Sequence, residues 1–167
     1  MGIRARMGIR GGGRWRGTPR AARVAGAVYV IGFLEGTGAH LRDLVQGGIH
    51  VYAPLGPPPL QMFFVALVVL DPLTAVLVAG ARPLGVRLAV GVMTLDVLTN
   101  WAVNWPWVQR DPGILLRPVG LLPITLFGLF VVVCARPLLG ALGRAAGAST
   151  LSPRSAAATD PAPPHHR

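Results

Sequence analysis

The chain has no lysine, one cysteine and only six acidic residues, and each shortage removes a class of protein. A lone thiol, Cys134, allows neither an intrachain disulfide nor a CxxC pair, which excludes the thiol-redox membrane enzymes that cycle two thiols. Charged residues are only 13% of 167, whereas a water-soluble domain carries about a quarter, because its surface must be wetted. No Walker-type phosphate loop, GxSxG elbow or Ser-His-Asp spacing occurs. His40 and His50 are the only histidines ahead of the adjacent His165 and His166. A zinc site wants about three or four ligands, so no metal and no cofactor are expected.

All positive charge is arginine, giving a formal net charge of +10. Arg, Gly, Ala and Pro share G+C-rich codons, which points to a high-G+C bacterial genome. The basic stretch Arg4 to Arg23 lacks any folded nucleic-acid motif. It is read as a topology signal attracted to anionic headgroups, with no nucleic-acid partner.

Apolar residues are 52% of the chain, and they gather in four runs. A bilayer core of about 30 Å takes about 20 helical residues. Runs at about 23–44, 60–81, 88–107 and 119–139 meet that length. The expected fold is all-α: a four-transmembrane-helix bundle at 23–139, with disordered cytoplasmic tails at 1–22 and 140–167, which are too poor in apolar residues to offset ordering entropy.

Arginine counting sets the orientation. With the N-terminal tail inside, the turn Arg82–Arg87 and Arg136, Arg144 and Arg154 are also inside, while Arg42, Arg110 and Arg117 fall outside. Both termini are therefore expected in the cytoplasm of a bacterial inner-membrane protein. One alternative stays open: Arg-rich 1–23, apolar 24–34 and Thr37-Gly38-Ala39 imitate a cleavable signal peptide. Cleavage would leave three spans, and N-terminal sequencing distinguishes the two. The string MGIR at both Met1 and Met7 leaves the start codon open.

Ionisable groups inside a membrane cost several kcal/mol and normally face a partner or water. The first three spans each carry one carboxylate, Glu35, Asp71 and Asp96, and the fourth carries none. If all three turn inward, the bundle has a polar centre. Asp96, Asn100 and Asn104 recur every four residues and share one stripe of span three. Trp101 and Trp105 repeat that spacing on the adjacent face. This pattern suits an aromatic-flanked cleft opening outward, or else interhelical hydrogen bonds from Asn. Asp71 precedes Pro72, so it suits either the cap of a kinked helix or a broken-helix ligand site. His40, near Glu35, is a candidate proton shuttle, or a hydrated residue at the interface.

The strings "FFVALVVLDPLTAVLVA", "GVMTLDVLTNWAVNW" and "GLLPITLFGLFVVVCARP" resemble those of small four-helix integral membrane proteins of high-G+C bacteria, a resemblance covering Arg23 to Leu139. It implies topology alone. In helix number and embedded acids the chain is also loosely similar to EXPERA domains and DoxX-like proteins, and no functional residue is carried over from either. The leading expectation is a binding or accessory protein rather than an enzyme. Its polar intramembrane pocket would be lined by Glu35, Asp71, Asp96 and Asn100, and its partner would be the lipid bilayer together with a lipid-like small molecule or another membrane protein. Two alternatives are an isomerase-type enzyme pairing Glu35 with Asp96, and a proton-coupled transporter built as a dimer, the homo-oligomer that a four-helix chain would need to enclose a path.

Overall fold

The structure is a computed structural model in which residues 15–117 and 120–151 are described. It contains four long helices: α1 (Arg20–Gly47), α2 (Pro58–Ala79), α3 (Pro83–Arg110) and α4 (Leu121–Leu151). Short 3-10 turns at Ala53–Leu55 and Pro112–Leu116 occupy two of the connections, and the described residues include no strand. Even the shortest helix, α2 with 22 residues, reaches about 33 Å at 1.5 Å per residue. All four are long and apolar enough to cross a membrane.

Local chemistry sets the ends. Proline opens α2 and α3 at their first position, where a missing N–H costs nothing and φ is already helical. Gly48, at φ 69°, closes α1 by donating to the Leu44 carbonyl. The α2–α3 turn closes by a Schellman pattern: Arg82 N–H donates to Leu77 O at 3.0 Å and Ala81 N–H to Val78 O at 2.8 Å. Its left-handed position is held by Ala81 (φ 52°) rather than glycine.

Both tail boundaries need correction. Residues 15–18 form a turn pinned to the bundle, because Trp15 Nε1 donates to Ala79 O at 2.9 Å and Thr18 is buried. Helix α1 then starts at Arg20, inside the stretch expected to be disordered. At the other end α4 continues well past Leu139, since Ala141 and Leu142 are buried and Ala, Leu and Arg favour helix. The disorder expected of 1–14 and 152–167 falls outside the described residues.

The helices pack in chain order, and α4 returns against α1 to close the bundle. Lipid is as apolar as leucine, so helices in it associate by close packing and a few polar contacts. Tyr29, Phe33, Leu67, Val78, Val86, Val131 and Leu138 fill the interior. The Tyr29 hydroxyl donates to Val131 O, joining α1 to α4. Phe127 lies over Gly32 and meets Phe33 edge-on at 5.7 Å between centroids. Gly85 sits against the backbone of α2, where a Cβ would fall 2.6 Å from Val78 N. Val24, Ile31, Val69, Val76, Leu98, Leu129 and Val133 point outward, an apolar exterior suited to hydrocarbon and unsuited to water.

Candidate functional site

Helix α2 runs through Pro72 as one element. The proline withdraws an N–H from the ladder, and Thr74 Oγ1 donates to Leu70 O at 2.7 Å in the same region. Asp71 does not cap a second half-helix. It is 5% exposed, turns into the bundle, and accepts no hydrogen bond among the described residues. Its Oδ2 lies against α1 at Gly36, where an added Cβ would stand 2.7 Å away. Any larger residue at 36 would displace the carboxylate.

Asp96 of α3 is 6% exposed. Its Oδ1 accepts from Asn100 Nδ2 at 2.9 Å. Asp96 is near enough for its charge to act on Asp71, and no arginine of the described residues offsets either carboxylate. This acid pair, contributed by two helices, is the most polar point of the interior.

The asparagines depart from expectation. Asn100 Nδ2 also donates to the Asp96 carbonyl at 3.0 Å, and Asn104 Nδ2 donates to the Asn100 carbonyl at 2.9 Å. Both amides fold back on their own helix, so they do not bridge helices. They form a ladder up α3 whose foot is the Asp96 carboxylate. Trp101 serves a different contact: its Nε1 donates to Thr125 Oγ1 at 2.8 Å, tying α3 to α4. Trp105 touches Trp101 at 6.3 Å between centroids and is 50% exposed. The tryptophans therefore flank α4 and the exterior and do not wall the acid pair.

Glu35 is a correction of another kind. It is exposed, on the outer side of α1 with Val28 and Ile31, and has no partner among the described residues. The neighbouring Gly36, not Glu35, meets Asp71, because adjacent helical positions differ by 100°. Three acids on three helices thus resolve into a buried pair and one outward group about 22 Å along α1 from Arg20.

A second polar cluster closes the end of the bundle where α1 finishes. His40 Nδ1 and Tyr52 Oη are 2.9 Å apart, and the Tyr52 hydroxyl donates to Asp43 Oδ2 at 3.2 Å. A phenol has one proton, and a carboxylate only accepts. With that proton toward Asp43, His40 Nδ1 must be the donor, and in the neutral imidazole Nε2 is then an acceptor. Tyr52 and His40 also pack on Phe64, at 5.2 and 6.3 Å between centroids. Burial, and then the adjacent Asp43, push the Tyr52 phenol above its ordinary range, with a further contribution from Asp96. That contribution marks the cluster as near the acid pair.

Asp43 and Tyr52 were missed in the sequence. The spacing of His40 and Asp43, three apart on one face of α1, carried the signal for Asp43. Tyr52 arrives through a loop and left no periodic trace. Among the described residues, no three His, Cys, Asp or Glu side chains converge as metal ligands do.

Four apolar helices around a buried acid pair define a multi-pass membrane protein of the helical-bundle class. Compared with models of known protein families, with curated proteins and with solved structures, the chain matches none.

Proposed function

We propose that this chain is a binding or accessory protein of the bacterial inner membrane, with both termini cytoplasmic, whose polar interior engages a lipid-like small molecule or a membrane partner. One observation carries the reading. Asp71 is buried beside Asp96 with neither a hydrogen-bond donor nor a cation among the described residues, and groups of that kind are costly in a membrane and as a rule mark a functional site. The Asp71 carboxylate, without a donor among the described residues, favours a ligand that brings one, such as the hydroxyl or protonated amine of an amphipathic molecule. The arginine bias supports the orientation.

The test is mass spectrometry of lipids, small molecules and proteins that copurify with the full chain in gentle detergent, for wild type and for Asp71→Asn with Asp96→Asn. The paired variant is expected to lose a defined companion while staying folded. Unchanged companions, partner pull-down and thermal stability would end this reading.

The His40–Tyr52–Asp43 chain beside Asp96 favours a second reading, proton-coupled transport by a dimer. Proteoliposomes carrying a pH-sensitive dye test it, and cross-linking that finds only monomers in membranes rules it out. An isomerase pairing Glu35 with Asp96 is not supported, because Glu35 faces outward while Asp96 is buried.

A further inference from the structure

The segment before α1 and the last turns of α4 enclose a groove of about 610 Å³. Arg16, Gly17 and Pro19 line one side, and Ala141, Arg144 and Ala148 the other. The two arginines come from opposite ends of the chain and face one space. Among the described residues neither has a hydrogen-bond or carboxylate partner and none that lines the groove is acidic. Two guanidiniums on one groove, with no anion from the described residues beside them, suit a phosphate, which guanidinium binds through forked hydrogen bonds.

Depth in the bundle decides the source of the phosphate. Trp15, next to Arg16, donates to the carbonyl of Ala79, the last residue of α2. The groove therefore lies where the spans end, at headgroup level. A second groove of about 340 Å³, lined by Trp15, has Arg23 together with Gly26, Ala27, Val30 and Ile31. Cation and apolar surface along the length of α1 match the order of groups in a phospholipid.

We propose that the Arg16–Arg144 groove is a binding site for the phosphate of an anionic phospholipid headgroup. The site lies at the Trp15 end of the bundle, apart from the Asp71–Asp96 pair, and does not depend on the role proposed for that pair. Native mass spectrometry of the full chain, released from nanodiscs of mixed phosphatidylglycerol and phosphatidylcholine, tests the proposal. Wild type is expected to retain phosphatidylglycerol in preference, and R16Q/R144Q to lose that preference by about tenfold or more, as the loss of charge-assisted hydrogen bonds to one phosphate allows. R82Q/R87Q removes the same charge from the same end outside the groove and is expected to keep the preference. Melting temperatures of all three confirm that each is folded. Equal loss in R82Q/R87Q would reduce the effect to general surface charge and overturn the site. Full retention in R16Q/R144Q would overturn it as well. Inorganic phosphate at millimolar concentration is expected not to displace the lipid, and displacement would make this a free-anion site instead.

Discussion

Replacing Gly36 with alanine probes the seam on which the acid pair depends. The new Cβ would lie 2.7 Å from Asp71 Oδ2, whereas ordinary contact begins at 3.4 Å, so the carboxylate must withdraw by about 0.7 Å. Overpacking of this kind costs about 1–3 kcal/mol. Alanine also improves helix propensity by up to about 1 kcal/mol, so Gly36→Ala alone is expected to lose about 0–2 kcal/mol. In an Asp71→Ala background the clash is gone and only the propensity gain remains. A double-mutant cycle cancels propensity and leaves a coupling of about 1–3 kcal/mol between positions 36 and 71. Reversible unfolding in mixed detergent and SDS micelles, followed by circular dichroism for all four proteins, measures it. Coupling below about 0.5 kcal/mol, the range of independent sites, would show that Asp71 does not rest against α1, and the buried pair would have to be redrawn.

Ala81→Gly is expected to stabilise the α2–α3 turn by about 1 kcal/mol, because it relieves a left-handed alanine. A lower melting temperature would show that packing of the buried Ala81 methyl outweighs the strain. Glu35→Leu is expected to leave the SDS unfolding midpoint unchanged or raised, since it removes a carboxylate that faces lipid, and a loss of more than about 1 kcal/mol would contradict the outward placement. Tyr52 is raised above the unfolded phenol value of about 10. Its contribution is complete below that pH and fades as pH climbs through the folded value. Thermal melts across the alkaline range should therefore fall for wild type and fall less for Tyr52→Phe, and parallel curves would refute the shift.

Four spans were legible because hydrocarbon imposes a length and an apolar composition on any helix that crosses it. The signal is local, and no partner helix is needed to produce it. The same locality explains the misjudged ends. Ser, Gly and Ala after Leu139 look unable to order themselves, yet Ala141 and Leu142 find neighbours, and packing carries α4 onward to Leu151. Trp15 likewise sits in an arginine-rich tail without periodicity, and only the nearby Ala79 carbonyl gives it a place.

For the candidate site, residue type identified the acids and geometry sorted them. Composition and spacing alone determined that Glu35, Asp71 and Asp96 are embedded in successive spans, because an acid within an apolar run is visible without any fold. Only the tertiary structure decided which of them face each other. Rotation of a helix about its axis is set by where neighbouring side chains fit, and a small residue at Gly36 with Asp71 opposite draws that face of α1 inward. The same turn of the helix sends Glu35 outward, and loop closure brings Tyr52 to His40 and Asp43, and Arg16 to Arg144. Asp71 with Gly36 and Arg16 with Arg144 are pairings between distant positions, and Tyr52, though close in sequence to His40 and Asp43, reaches them only through an irregular loop.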